Sequence, residues 1–164
     1  MSLISFFKEA GEKLFGKTVQ DAYAAPAKTD TAALDAANRE AATAIENYIN
    51  TLGLTVTALT VTFDGATAIA KVYGVAKDQA TKEKVILAAG NVHGVGGVDD
   101  NMTVDLSQPA AKFYTVVRGD TLSKIAKDFY GNANAYKKIF EANKPMLSDP
   151  DKIYPGQNLR IPSE

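Results

Sequence analysis

Residues 55–74, "TVTALTVTFDGATAIAKVYG", alternate apolar and polar positions on either side of Asp64-Gly65. A period of two sends every second side chain to one face, and Asp-Gly between two such runs is a strong hairpin signal. The chain must therefore build a sheet with one face to bury, and its other segments must supply the covering layer.

The flanking segments have helical spacing. Residues 30–54, "DTAALDAANREAATAIENYINTLGL", offer Asp30 or Thr31 as N-cap and Gly53 as C-cap of a long helix. Its apolar face is Ala33, Leu34, Ala37, Ala41, Ala44, Ile45, Tyr48 and Leu52. A second helix, from about Asp78 to Ala89, turns Val85, Ile86 and Ala89 inward, with Gly90 as its expected left-handed cap. "GVDDNMTVDL" then reads as a third strand. The order αββαβ predicts an α+β fold with helices on one face of a three-stranded sheet, over residues 31–106.

Residues 2–15 place Leu3, Phe6, Phe7, Ala10 and Leu14 at helical spacing, with Gly11 ending or breaking the helix. This predicts a short amphipathic helix docked on the main core. Residues 17–30 carry Pro26 and no sustained period and read as a linker, so residues 1–30 form helix plus linker. "SQPAA", residues 107–111, is a hinge. Residues 112–164 predict a small βααβ domain: a strand at "KFYTVV", helices near 120–130 and 134–142, and a closing strand near Leu159–Ile161. Asp120 and Gly131 are the expected caps of its first helix.

Charge divides unevenly. Residues 1–111 hold nine basic and thirteen acidic side chains, residues 112–164 nine and six. Neither part is basic enough to suggest nucleic acid as a partner. The absence of cysteine excludes disulfides, thiolate zinc sites and cysteine nucleophiles. No run has the length of a membrane span, and Lys8 and Glu9 interrupt the first apolar patch, so no signal-peptide core is expected. The reading is a cytoplasmic protein.

The most suggestive loop is "AAGNVHGVGGVDD", residues 88–100, with Gly90, Gly94, Gly96 and Gly97. Phosphate loops run from a strand into a helix N-terminus, where N–H groups face the anion. Here the helix comes first, so the groups left over are carbonyl oxygens at the negative end of the helix dipole. The spacing also fits neither G-x-G-x-x-G nor a Walker pattern. A tight connection and a carbonyl-coordinated cation remain open, and backbone oxygens suit potassium because they replace its hydration shell without concentrating charge. An EF-hand started at Asp99 fails, with Val104 and Ala110 where glycine and glutamate are needed. Asp99 and Asp100 are expected as solvated strand-edge carboxylates. His93, the single histidine, is expected in solvent, and nothing singles out an enzyme.

The elements "YTVVRGDTLSKIA", "IFEANK" and "IYPGQNLRIP" give the C-terminal segment a specific resemblance to LysM domains. Residues 31–106, through their element order and "VILAAGNVHGVGGVDD", resemble a BON domain. The pair in this order, behind "SFFKEAGEKLF", resembles the bacterial cytoplasmic potassium-binding proteins. That resemblance implies one K+ held by main-chain carbonyls of Phe7, Ala10 and Glu12 from the N-terminal segment and of Gly90, Val92 and Val95 from the glycine loop. LysM domains usually bind N-acetylglucosamine polymers of cell walls. The resemblance places that alternative groove between Gly119, Asp120, Thr121 and Leu122 and the loop from Asn143 through Ile153 to Gly156. Without an export signal, LysM is expected instead to dock on the ion-binding domain or on another protein.

Overall fold

The computed structural model describes residues 2–5, 13–24, 31–106 and 110–163. In chain order the elements are β1 (Ser2–Ser5), α1 (Lys17–Ala24), α2 (Thr31–Thr51), β2 (Val56–Asp64), β3 (Ile69–Asp78), α3 (Gln79–Gly90) and β4 (Gly97–Leu106). Then follow β5 (Lys112–Thr115), α4 (Leu122–Tyr130), a 3-10 turn (Ala133–Ala135), α5 (Tyr136–Ala142) and β6 (Asn158–Ile161). The α+β class and the αββαβ and βααβ orders are as the sequence implied.

The hairpin pairs Thr62 with Lys71 and Phe63 with Ala70, and β3 runs parallel to β4 through the α3 crossover. Val61 and Phe63 of β2, Ala70, Val72 and Ala76 of β3, and Val98 and Met102 of β4 are buried on one face. Helix α2 meets them with Ala37, Ala41, Ala42, Ile45 and Ile49, and α3 with Val85, Ile86 and Ala89. Each large aliphatic side chain fully removed from water contributes about 1.5–3 kcal/mol, so this face holds the layers together. Asp78 caps α3 through its carboxylate, which accepts the Thr81 N–H at 2.7 Å.

The N-terminal region departs from expectation. The sheet has four strands, ordered β1-β4-β3-β2, because Ser2–Ser5 pairs antiparallel with Gly97–Asp100. The expected helix over residues 2–15 is thus a strand at its start and non-helical at residues 13–16, while residues 6–12 lie outside the described residues. The backbone bonds offered by β4 outweigh the helical spacing, a tertiary contact overriding local preference. Nor is residue 17 onward a linker: α1 forms, Val19 is fully buried, and the Gln20 side chain donates to the Phe15 carbonyl at 2.7 Å. Residues 25–30, with Pro26, lie outside the described residues.

A second, smaller core gathers Val116, Leu122, Ile125, Ala126, Ile139, Leu147, Leu159 and Ile161 around the β5–β6 ladder. Gly131 closes α4 at φ +67°, as expected. The N-cap, however, is Thr121, whose hydroxyl accepts the Lys124 N–H at 3.2 Å, rather than Asp120. Among the described residues no helix is long and apolar enough to cross a membrane.

Candidate functional site

Helix α3 runs through Gly90 in helical conformation and Asn91 caps it, so Gly90 is not the left-handed cap. The positive φ falls four residues later, at Gly94 (+97°). There Val92–Val95 forms a β-turn closed by the Val95 N–H donating to the Val92 carbonyl at 3.0 Å, with glycine at the third position, as a type II turn requires. Gly96 and Gly97 then donate to the Ala68 carbonyl at 2.7 and 3.2 Å, tying the loop to the β2–β3 connection. The three loop residues implied as donors, Gly90, Val92 and Val95, are all buried. They bracket the carbonyl end of α3, where the helix dipole is negative.

Two further contacts fix what surrounds this loop. On one side of residues 6–12, Ser5 pairs with Gly97 at the loop's end. On the other side, the Phe15 ring lies against Gly94: a Cβ there would sit 3.1 Å from Cε2 and 3.2 Å from Cδ2. Phe15 also packs on Phe63, with ring centroids 5.3 Å apart. Both flanks of the N-terminal segment are therefore fastened to the glycine loop. Phe7, Ala10 and Glu12 themselves lie outside the described residues.

Among the described residues no group of three histidine, aspartate or glutamate side chains could hold an ion. His93 is half-buried rather than in solvent. The Asp99 and Asp100 reading is also corrected. β4 is an inner strand between β1 and β3, both residues are half-buried, and Asp100 pairs with Lys82 at 2.9 Å and accepts the Met102 N–H at 3.0 Å.

The loop also touches the second core. Asn91, buried at the α3 terminus, donates to the Asn158 carbonyl at 3.0 Å and accepts the Asn158 N–H at 2.9 Å, as a paired strand would. About two turns earlier on the same helix, buried Glu83 accepts the Ala111 N–H at 2.8 Å and pairs with Arg160 Nε. These junction residues carry no sequence signature, because their partners are 67 and 77 positions away.

The alternative groove residues are occupied with structure. Asp120 accepts from the Tyr114 hydroxyl at 2.7 Å and the Val117 N–H at 3.0 Å, and pairs with Lys124 at 3.1 Å. Burial opposes its charge, but these partners outweigh burial and hold the carboxyl below the usual carboxylate range. The same hydrogen bond, with burial added, pushes the Tyr114 hydroxyl up to about 12. Leu122 is in the core, and Ile153 packs against it. Asn143 is buried, pairing with both the N–H and the carbonyl of Arg160 at 2.7 and 2.8 Å. Gly119 and Thr121 remain at the surface.

Comparison with known proteins places these features in context. Residues 114–162 match the LysM domain family model. An uncharacterized protein of Deinococcus radiodurans is 57% identical over 49 residues, 30% of this chain and 19% of that protein. The uncharacterized protein YqbP of Bacillus subtilis is 40% identical over 65 residues, 34% and 30% of the two chains. Along the whole of both chains, 164 residues, the sequence is 44% identical to the potassium binding protein Kbp of Escherichia coli O6:H1. The chain belongs to the Kbp family.

Proposed function

We propose that this chain is a cytoplasmic potassium-binding protein, not an enzyme, that holds K+ with main-chain carbonyls of Gly90, Val92 and Val95 and of Phe7, Ala10 and Glu12. The observation that carries this reading is that both ends of residues 6–12 are fastened to the glycine loop, by Ser5 on Gly97 and Phe15 on Gly94. The donor chemistry fits a monovalent ion: carbonyl oxygens at a helix C-terminus supply partial negative charge, and a buried loop can replace the hydration shell. A divalent ion would require carboxylates, and the nearby Asp100 is committed to Lys82. The relationship to Kbp, named for potassium binding, supports the same ion.

In this reading residues 31–106 are the BON domain, residues 107–111 the hinge and residues 112–164 the LysM domain. Ion binding orders the N-terminal segment and compacts the molecule. The Asn91–Asn158 pair supports a docking role for LysM against the ion loop. A ligand that binds only the folded form raises stability with its concentration. The melting temperature is expected to rise with KCl, and with RbCl, more than with NaCl or LiCl at matched ionic strength. Equal shifts in all four salts would exclude potassium specificity.

The LysM match favours a second reading, binding of N-acetylglucosamine polymers at Gly119–Leu122 and Asn143–Ile153. Amide shifts at Asp120 and Thr121 on titration with chitin oligomers would support it. No shift at millimolar oligomer would retire it.

A further inference from the structure

The contact between Phe15 and Gly94 belongs to neither set of implied donors. Phe15 is buried in the first core, next to Leu14 and Val19, on a stretch without helix or strand. Its ring edge lies so near position 94 that a Cβ there would be 3.1 Å from Cε2 and 3.2 Å from Cδ2, closer than ordinary van der Waals contact. Gly94 is the third residue of the turn whose ends, Val92 and Val95, are two of the implied donors. The backbone of a β-turn is a stiff unit, so a ring seated on its third residue fixes the orientation of both ends.

We propose that Phe15 is a positioning residue for the potassium site: it clamps the Val92–Val95 turn in the orientation that presents its carbonyls. Phe15 supplies no ligand atom. Glycine at 94 serves two ends, the positive φ and the seat for the ring. This inference rests on the potassium reading above and adds the residue that holds the loop's donors in place.

The mechanism predicts coupling. Losing the ring leaves the turn free to reorient, so each carbonyl spends part of its time off target. Removing groups that orient metal ligands without touching the metal costs roughly 10–100-fold in affinity. Phe15→Ala should weaken K+ binding by that amount. Gly94→Ala, which presses a Cβ against the ring and strains the turn at positive φ, should weaken binding in the same direction. The double variant should be no weaker than the worse single one, since both break the same contact. Phe15→Leu, which keeps most of the apolar volume, should recover most of the affinity.

The test is calorimetric titration of the full chain with KCl, in sodium buffer at a temperature where circular dichroism shows every variant folded. Ile49→Ala, which removes core packing on α2, is the control for general destabilisation and should leave K+ affinity near that of the parent. A parent chain that binds no K+ would overturn the potassium reading and this inference with it. A parent that binds K+ while Phe15→Ala binds within twofold of it would overturn the positioning role alone. So would an Ile49→Ala variant weakened as much as Phe15→Ala, because the effect would then be one of core stability.

Discussion

The protein builds the same turn twice and uses it differently. Val92–His93–Gly94–Val95 and Val117–Arg118–Gly119–Asp120 each close with an i+3 N–H on the first carbonyl, at 3.0 and 3.1 Å. Each has glycine third, at φ +97° and +89°. The first follows a helix and has the Phe15 ring against its glycine. The second precedes a helix, leaves open space where a Cβ on its glycine would point, and ends in a carboxylate consumed by Tyr114, Val117 and Lys124. A turn is thus no evidence of a site by itself. What differs is the surroundings: an aromatic ring against the first glycine, and a fully engaged carboxylate at the end of the second turn.

Alanine at the two glycines should separate these roles most strongly. Both substitutions force a Cβ into a left-handed backbone, costing about 1–2 kcal/mol. At Gly94 the Cβ also meets the Phe15 ring, and overpacking of this kind adds about 1–3 kcal/mol. Denaturant unfolding should therefore find Gly94→Ala less stable by about 2–5 kcal/mol and Gly119→Ala by about 1–2 kcal/mol. Equal losses would mean that Phe15 yields without cost.

The second turn is the one that should respond to pH. The Asp120 carboxyl titrates below the usual range when folded, so its contribution is present above the unfolded value near 3.8 and disappears as pH falls through the folded one. The Tyr114 hydroxyl shifts the other way, so its contribution is intact below 10 and is lost as pH rises toward about 12. Asp120→Asn should reduce stability at neutral pH by about 1–2 kcal/mol and flatten the acid limb below pH 4, read from melts at stepped pH. An unchanged acid limb would show that other carboxylates govern it.

The contrast also explains what could be read from the sequence. Features decided within a few residues were legible: the hairpin at Asp64-Gly65, the start of α3 near Asp78, the Gly131 cap of α4. Features decided across the chain were not. Leu3, Phe6 and Phe7 have helical spacing, yet Ser5 finds Gly97 and the segment's start becomes a strand. Asp120 and Thr121 are both good caps, and Thr121 takes the role because Tyr114 draws the aspartate away. The glycine loop's position after a helix was enough to exclude an anion. Phe15 on Gly94, and Asn91 on Asn158, needed the folded molecule, because each joins segments with no shared pattern.

On the proposed function, carbonyl oxygens of the α3 terminus and the first turn bind K+ while those of the second turn do not. The direct measurement is the carbonyl carbon chemical shift of each residue, by NMR on labelled protein, titrated with KCl against NaCl at constant ionic strength. The account predicts saturable, potassium-specific shifts at Gly90, Val92 and Val95, with Val117 and Gly119 unmoved. Shifts that are equal in the two salts, or that fall on Val117 and Gly119 instead, would contradict it.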